Sequence, residues 1–399
     1  MKIGIVKEEK VPVDHRVPFT PNQVKTLKEQ YPKHTFVVQS SNVRAFKDSE
    51  YADLGIEVVA NVDDCDTIFG VKEVPISSLL NNKTYFFFSH TAKMQPYNKG
   101  LLQAVIDKNI ILADYEYLAL EGKRVVAFGR WAGIVGAYNG LRTYGLKYNR
   151  FNLKPANQCF DQNDMYSELD KLNLGNIKIA LTGAGRVSKG AEEVLTKAGI
   201  KKVSVKDYLT ESFNEAVYAQ ADINNYNKTI DGTDFNRKLF FSNPEKFKSD
   251  FPKFLPVTDV LIAGAYWDPN APVLFTEKDI KKSDFKIRVI ADITCDIKGS
   301  VPTTIRPSTV ADPVYDINRN DCSEIDAYSG DDTISVMAVD NLPCELPRDA
   351  SEDFGTQLLN NVVPHFLGDD ALGVFSGASI TNGSGLSEKY AYLKDWLKE

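Results

Sequence analysis

The sequence IKIALTGAGRVSKG, residues 177–190, places a short apolar run directly before a glycine-rich turn. The apolar part, Ile177 to Thr182, predicts a buried strand, and a helix is expected at Ala191–Ala198. A strand, a tight glycine turn and a helix form the first half of a dinucleotide-binding βαβ unit, in which helix amides bind a pyrophosphate. The stretch therefore predicts an α/β fold with a cofactor-binding domain in the second half of the chain.

The glycines are spaced G-x-G-x-x-x-x-G rather than G-x-G-x-x-G, so their meaning depends on the neighbouring elements. Gly183 permits the tight turn, Gly185 admits a phosphate close to the backbone, and Gly190 suits close packing of helix on strand. Arg186 and Val187, which follow Gly185, are assigned to the same expected cofactor site. The alternative is an ordinary βα turn that happens to be rich in glycine.

An acidic residue about twenty positions beyond such a turn accepts the ribose hydroxyls of NAD. Asp207 fits this expectation because it closes the next predicted strand, Lys202–Lys206. Its carboxylate would repel the 2′-phosphate of NADP, but neighbouring lysines soften that repulsion, so NAD is expected and NADP stays open. Asp292, which follows the predicted strand Arg288–Ala291, is assigned to the same site; a solvated strand end is the plainer interpretation of Asp207.

The first half of the chain alternates apolar runs with amphipathic stretches, which is typical of βαβ units and a mainly parallel sheet. The expected strands are Lys2–Val6, Thr35–Gln39, Glu57–Val59, Thr67–Val71, Tyr85–Phe88 and Ile110–Ala113. The expected helices are Asn22–Gln30, Ser49–Leu54, Ile76–Leu80, Tyr97–Lys108 and, between the domains, Gly133–Tyr148. After a loop at Asn152–Asp164 and a further strand at Val260–Ala263, a helix at Ser351–Val363 is expected to return to the first domain.

The predicted fold class is therefore α/β, with two Rossmann-like domains, mainly parallel sheets and a cleft between them. Residues 1–132 with 341–399 are expected to form the substrate domain, and residues 133–340 the NAD(P)-binding domain.

Composition limits the possible classes of protein. The 399 residues are 43% hydrophobic and 25% charged, which is the balance of a globular protein. A net charge of −7 argues against nucleic acid or an anionic membrane as a partner. The five cysteines form no CxxC pair, so neither a bound metal nor a disulfide framework is expected. No signal peptide and no apolar run of membrane-spanning length is evident, so the cytoplasm is the expected location.

Polar residues follow predicted strands in the first half of the chain. Lys72 follows the strand Thr67–Val71, and His90 follows the aromatic strand Tyr85–Phe88 shortly afterwards. Because ligands bind at the carboxyl ends of strands in open α/β sheets, both are candidate acid–base groups. Arg16, just before the first expected helix, is a candidate clamp for a carboxylate. Each of the three taken alone is equally consistent with a structural or surface role.

Four segments carry a resemblance to known proteins: KTYFFFSHT at 83–91, RVVAFGRWAG at 124–133, the glycine turn at 183–190, and VDNLPCELPR at 339–348. With them the sequence resembles the alanine dehydrogenase and saccharopine dehydrogenase superfamily. It is most similar to the lysine-forming saccharopine dehydrogenases of the lysine–2-oxoglutarate reductase type. The resemblance covers nearly the whole chain and implies a substrate domain, a Rossmann domain and a C-terminal return to the first domain.

The resemblance also implies roles for residues in the first domain. Lys72 and His90 would be the acid–base pair, and the carboxylates of Glu73 and Glu116 would tune their pKa values. Asp14 would have a similar modulating role beside the substrate-binding arginine.

Four further residues would meet the substrate by the same resemblance. Arg16 would bind a substrate carboxylate, Arg124 and Phe128 would lie near substrate and nicotinamide, and Asp340 would close the cleft. The implied reaction is the reversible NAD(P)-dependent condensation of L-lysine with 2-oxoglutarate to saccharopine. The alternatives are an alanine-dehydrogenase-like amino-acid dehydrogenase and a non-catalytic nucleotide sensor. The oligomeric state stays open.

Overall fold

The computed structural model describes residues 1–398, and the chain divides into two compact units. Unit 1 comprises Met1–Phe128 with Pro347–Glu399, and unit 2 comprises Gly129–Leu346. The first limit lies four residues before the predicted one, because the helix Gly129–Lys147 belongs to unit 2 from its first residue. The second limit lies six residues after the predicted one. In residues 1–398, no helix combines the length and the hydropathy needed to cross a membrane.

Unit 1 is built on a parallel sheet. Its strands are β1 (Lys2–Ile5), β2 (Thr35–Gln39), β3 (Glu57–Val59), β4 (Thr67–Lys72), β5 (Thr84–Phe88) and β6 (Ile111–Asp114), with a small ribbon of β7 (Ala119–Leu120) and β8 (Lys123–Arg124). The sheet order is β3-β2-β1-β4-β5-β6. The order reverses between β1 and β4, and such a switch point is where open α/β sheets bind ligands.

The α-helices of unit 1 lie close to predicted positions, but the predicted helix Ile76–Leu80 is only a 3-10 turn, Ile76–Ser78. The α-helices are α1 (Pro21–Gln30), α2 (Asp48–Ala52) and α3 (Lys99–Asp107), followed after unit 2 by Pro347–Asn361, Val363–Leu367 and Leu393–Lys398. Short 3-10 turns occur at Ile76–Ser78, Thr91–Lys93, Pro96–Asn98, Tyr115–Tyr117, Ser376–Ala378 and Glu388–Tyr390. Apolar strands account for the core: the rings of Phe69 in β4 and Phe86 in β5 stack with centroids 4.3 Å apart.

Unit 2 contains the second sheet. Its strands are β9 (Lys178–Thr182), β10 (Lys201–Lys202), β11 (Val217–Ala221), β12 (Asn227–Thr229), β13 (Phe247–Ser249), β14 (Val260–Ala263), β15 (Val289–Asp292), β16 (Val314–Ile317), β17 (Glu324–Ile325) and β18 (Ile334–Met337). The main sheet runs β10-β11-β9-β14-β15-β18-β16-β17, and β12 pairs separately with β13. Pairing is parallel up to β18 and antiparallel at β16 and β17. The predicted α/β class with mainly parallel sheets is confirmed.

The helices of unit 2 are α4 (Gly129–Lys147), α5 (Gln162–Ser167), α6 (Arg186–Lys197), α7 (Val205–Thr210), α8 (Ile223–Tyr226), α9 (Arg237–Ser242) and α10 (Glu277–Ile280). Its 3-10 turns are Ala156–Gln158, Glu168–Lys171, Pro244–Lys246, Phe251–Phe254 and Leu342–Glu345. The predicted loop at Asn152–Asp164 therefore contains a 3-10 turn and the start of α5, where Asp161 caps the helix by accepting from the Asp164 amide.

The predicted strand Lys202–Lys206 is wrong. The strand ends at Lys202, and Ser204 then caps α7, since its side chain accepts a hydrogen bond from the Asp207 amide. Two lysines at a sheet edge make a short strand, and the serine two residues later starts a helix instead of allowing the strand to continue.

Candidate active site and cofactor-binding elements

Arg16 and Asp14 form a buried ion pair in unit 1. The Arg16 guanidinium donates from Nε to Asp14 Oδ1 at 2.9 Å and from Nη2 to Oδ2 at 2.5 Å. It also lies over the Phe128 ring, 4.2 Å from the centroid. Burial disfavours the Asp14 carboxylate, but the charge and hydrogen bonds of Arg16 outweigh it and lower the Asp14 pKa. Two donors of Arg16 are therefore already committed to Asp14.

Lys72 is the last residue of β4, and its neighbours fix its backbone. The Lys72 amide donates to Glu8 Oε2 at 2.9 Å, and the Val71 amide donates to Glu8 Oε1 at 2.6 Å. Glu73 pairs with Lys10. The prediction that Lys72 lies at a strand carboxyl end is thus confirmed, whereas Glu8 was not among the predicted residues.

The rings of Phe88 and Phe128 form an aromatic floor beside the other predicted residues of unit 1. Phe88 at the end of β5 lies opposite Lys72 in the neighbouring strand. Its ring is 6.0 Å from that of Phe128 and 6.2 Å from that of His90, measured between centroids. The Arg124 guanidinium lies over Phe88 at 5.5 Å. Phe88 therefore gathers Lys72, His90, Arg124 and Phe128 into one region.

His90 lies directly beyond β5 with a left-handed backbone, φ 54°. Its Nδ1 is 3.4 Å from Glu116 Oε2, and Lys93 Nζ is 2.8 Å from Glu116 Oε1. Burial raises the pKa of Glu116, but the hydrogen bonds of His90 and Lys93 outweigh it and lower the pKa to about 2. Glu116 is thus a carboxylate throughout the physiological pH range, and it orients the His90 ring.

Asp114 organises this corner and was not predicted as a site residue. Its Oδ2 accepts from Ser89 Oγ at 2.5 Å and from the His90 amide at 3.2 Å, and its Oδ1 accepts from the Glu116 amide at 2.8 Å. Burial raises the Asp114 pKa, against the effect of these hydrogen bonds. Its position at the end of β6, two residues before Glu116, was a usable signal, because a buried acid at a strand carboxyl end needs several hydrogen-bond donors.

In unit 2 the glycine turn joins β9 to α6 as predicted. Gly183 has φ +91°, and a Cβ there would lie 2.8 Å from Ser188 Oγ. No atom lies within 4 Å of a Cβ built on the exposed Gly185, which precedes the first helical residue, Arg186. A turn that carries only the Ala184 methyl group, before the N-terminus of a twelve-residue helix, fits a pyrophosphate, which the helix amides and dipole stabilise.

Gly190 has a different role from the predicted one. A Cβ on Gly190 would collide with the carbonyl oxygen of Arg130, and one on Gly133 with that of Val187. The two glycines therefore let α6 approach α4, so the close packing is between two helices and not between helix and strand.

The strand order changes the expected ribose-binding acid. Asp207 lies in the first turn of α7, and the strand before it, β10, is separated from β9 by β11. The acid that follows the strand adjacent to β9 is Asp222, whose carboxylate accepts from the Ile223 amide and pairs with Arg237. The prediction that Asp207 ends a strand is wrong, because the chain crosses to the sheet edge before it returns beside β9.

A cavity of about 160 Å³ opens beside the glycine turn. Its lining includes Thr182 at the end of β9, Ile223 next to Asp222, and Ala265 after β14, so three adjacent strands end at it. The remaining wall is largely apolar and includes Tyr226, Phe240, Trp267 and Leu274. A flat apolar group such as a purine suits a cavity of this kind, and the sequence did not reveal it because its walls come from distant segments.

Asp292 and Asp340 also lie in unit 2. Asp292 is fully buried and accepts from Thr304 Oγ1 at 2.5 Å and Thr294 Oγ1 at 2.7 Å. Burial raises its pKa. Because Asp292 is fully buried with both oxygens bonded to these hydroxyls, it shapes the loop after β15 and does not present its carboxylate to a ligand. Asp340 is exposed beyond β18.

In residues 1–398, no group of three or more histidine, cysteine or acidic side chains is arranged to hold a metal ion.

Comparisons with known proteins identify one matching domain family and several similar proteins. Residues 4–135 match the family described as alanine dehydrogenase/PNT, N-terminal domain. The chain is 30% identical to mitochondrial alpha-aminoadipic semialdehyde synthase of Rattus norvegicus, over 96% of this chain and 46% of that protein. It therefore spans about half the length of that relative. It is 26% identical to the saccharopine dehydrogenase [NAD(+), L-lysine-forming] of Schizosaccharomyces pombe, over 90% of this chain and 91% of that protein.

Solved structures show the same fold at lower identity. An L-alanine dehydrogenase superposes with a TM-score of 0.66 at 16% identity, covering all of both chains. A transhydrogenase from Sinorhizobium meliloti superposes with a TM-score of 0.60 at 14% identity, covering 97% of this chain and 98% of that one. These two structures show that the chain has this fold, and residues 4–135 match the alanine dehydrogenase/PNT N-terminal domain, in line with the resemblance read from the sequence.

Proposed function

We propose that the chain is an NAD(P)-dependent oxidoreductase acting on CH–NH bonds, and that it catalyses the reversible condensation of L-lysine with 2-oxoglutarate to saccharopine. The observation that carries the proposal is the cluster at the carboxyl ends of β4, β5 and β6, where Lys72 and His90 lie beside Phe88 and Glu116 pairs with His90. The similarity to an L-lysine-forming saccharopine dehydrogenase and to alpha-aminoadipic semialdehyde synthase supports the choice of substrates.

The residues of unit 1 suit the proton transfers of this reaction. Attack of the lysine amine on the ketone of 2-oxoglutarate requires a base for the amine proton and an acid for the carbonyl oxygen, and loss of water from the carbinolamine requires an acid again. Lys72 and His90 are the proposed pair, with Glu116 holding the His90 ring. Bound dihydronicotinamide supplies the hydride that reduces the imine.

Positive groups around the aromatic floor suit an anionic substrate. Arg124 lies over Phe88, Arg16 lies over Phe128, and Lys93 adjoins Glu116. Saccharopine and 2-oxoglutarate carry several carboxylates, which guanidinium groups bind in bidentate fashion. Arg16 and Lys93 are also paired with Asp14 and Glu116, so the proposed attraction comes from individual side chains that meet substrate carboxylates and not from a net positive field.

NAD is the proposed cofactor. The turn at Gly183 and Gly185 fits a pyrophosphate, and the apolar cavity beside it fits an adenine. Asp222, at the strand end nearest to both, is the proposed acceptor for the ribose hydroxyls, and its charge disfavours a 2′-phosphate. Asp207 was assigned this role from the sequence, but its place in α7 gives it no such support.

The test follows NADH and NADPH absorbance with purified protein. Oxidation that requires both lysine and 2-oxoglutarate is the expected result. Oxidation with pyruvate plus ammonia alone would assign the protein to alanine-dehydrogenase chemistry, which the likeness to the L-alanine dehydrogenase fold keeps as the second candidate. Tight NADH binding without turnover in either mixture would instead support a nucleotide sensor.

A further inference from the structure

Glu8 occupies the switch point of the sheet in unit 1, three residues beyond the end of β1. The ladder between β1 and β4 ends with Ile5 opposite Phe69, after which the Val6 amide donates to the Phe69 carbonyl. Beyond that point the Glu8 side chain replaces the strand pairing, since its two oxygens accept hydrogen bonds from the amides of Val71 and Lys72. One carboxylate thus holds both residues at which β4 ends.

The end of β4 needs such a partner because its pairing is irregular. The register between β4 and β5 shifts between Phe69 and Lys72, so the backbone there departs from a regular ladder. Gly70 fits against this corner: a Cβ on it would lie 3.1 Å from Val6 Cγ1 and 3.5 Å from Glu8 Oε1. We therefore expect the two hydrogen bonds to Glu8 to set the direction in which the Lys72 side chain leaves the strand.

We propose that Glu8 is a positioning residue for Lys72, whose ionised carboxyl group fixes the strand end from which the Lys72 side chain projects. The inference rests on the proposed acid–base role of Lys72. It adds a residue that the resemblance did not include, and it acts through the backbone and not through contact with substrate.

The charges that face Glu8 determine when it is ionised. Burial raises the pKa of Glu8 to about 8, and the nearby Asp14 charge acts in the same direction. The amides of Val71 and Lys72 and the charge of Arg16 act in the opposite direction. Tyr115 also faces Glu8, and the Glu8 charge helps to raise the Tyr115 pKa.

The sign of the pH effect follows from these contacts. Below about pH 8 the carboxyl group gains a proton, and the protonated oxygen is a poorer acceptor for one of the two amides. Above about pH 8 both oxygens accept, and the strand end is held fully. Glu8→Gln resembles the protonated state at every pH, since the amide side chain keeps one acceptor oxygen only.

Amide hydrogen exchange tests the hydrogen bonds from Val71 and Lys72 to Glu8 without any substrate. Peptides covering residues 69–74 are compared in wild type, Glu8→Gln and the control Glu9→Gln, which removes an adjacent exposed carboxylate. Wild type and Glu9→Gln should gain protection, corrected for intrinsic exchange, on the order of 10-fold between pH 6.5 and pH 9, as expected for a hydrogen bond to a charged group. Glu8→Gln should gain none. Equal protection in all three proteins at both pH values would overturn the inference.

Turnover of NADH with lysine and 2-oxoglutarate supplies the second readout. The ratio of wild-type to Glu8→Gln kcat should be near one at pH 6.5 and about 10 or more at pH 9, with NADH affinity unchanged. A ratio that is constant with pH would indicate a purely structural role and overturn the inference. If wild type does not turn over at all, the proposed function fails, and hydrogen exchange alone still decides whether Glu8 holds the strand end.

Discussion

His90 is the single side chain whose removal best tests the chemistry of unit 1. It stands 3.4 Å from Glu116 and stacks beside Phe88, so Gln in its place keeps most of the volume and loses the titrating ring. Because general acid–base groups contribute about 10²–10⁴-fold, we expect His90→Gln to lower kcat/KM by roughly 100-fold or more. Steady-state kinetics measures this, and fluorescence titration should show unchanged NADH binding.

The matched control is His34→Gln, which changes a histidine between α1 and β2 in the same unit. It should retain wild-type kinetics. If His90→Gln turned over as fast as this control, His90 would have no part in proton transfer, and the roles assigned to its neighbours would lose their basis.

The residues that the sequence made visible are those that leave an apolar strand. Lys72 and His90 could be named because a polar residue at or just beyond the end of a buried run marks the carboxyl end of a strand. The roles of Glu8 and Asp114 could not be assigned, because Glu8 accepts from amides 63 and 64 positions away, and Asp114 accepts from amides 24 and 25 positions away. Such partners are set by the strand order, which a single sequence does not contain.

At the scale of elements, the position of β11 beside β9 gives a direct prediction for the cofactor. Asp222→Ala should weaken NADH binding by roughly 10- to 100-fold, which corresponds to losing hydrogen bonds from the ribose to a charged group. NADPH binding should suffer less, because the carboxylate that disfavours its 2′-phosphate is gone and Arg237, the ion-pair partner of Asp222, remains. Fluorescence titration with both nucleotides measures the two effects.

Asp207→Ala is the matched control for the strand-order argument. Its side chain lies in α7, so NADH affinity should stay within about 2-fold of wild type, which corresponds to less than half a kcal/mol. The reverse pattern, with Asp207 sensitive and Asp222 neutral, would restore the interpretation based on sequence spacing and reject the one based on topology.

The contact between α4 and α6 is a second property of elements. A methyl group on Gly190 would meet the Arg130 carbonyl, and backbone cannot yield as a flexible side chain can. Gly190→Ala should therefore destabilise unit 2 by about 1–3 kcal/mol, the usual effect of overpacking. Urea unfolding measures it. Gly330→Ala, where nothing lies within 4 Å of the added carbon, is the control, and equal stability of the two variants would contradict the packing argument.

Apolar runs predicted the central strands well. Thr35–Gln39 and Val260–Ala263 occur with the expected limits, because interior strands covered on both faces are nearly continuous in apolar residues. The short edge strand Glu57–Val59 also has its expected limits. The limits of the edge strand β10 were predicted wrongly, because its two residues are exposed lysines and carry no such apolar pattern. Helix starts were placed up to five residues late, as in α6, because glycines at a helix start resemble a turn.

At the scale of the whole molecule, the stability of unit 2 should depend on pH through Glu345. This side chain is buried, and its Oε1 accepts from Asn139 Nδ2 at 2.9 Å. Burial raises its pKa to about 7, against the Asn139 hydrogen bond and the Arg142 charge. The folded state therefore binds this proton more tightly than the unfolded state, so stability is lost as pH rises from about 4.5 to about 7.

Glu345→Gln should remove that dependence while keeping an acceptor for Asn139. At pH 8 the variant should be more stable than wild type by up to about 3 kcal/mol, and at pH 5 the gain should be much smaller. Urea unfolding at both pH values, with the exposed Glu211→Gln as control, measures the difference. A gain that is the same at pH 5 and pH 8 would mean that Gln only packs better. No gain at pH 8 would mean that the buried carboxylate is already compensated there, and that unit 2 carries no proton-linked cost at this position.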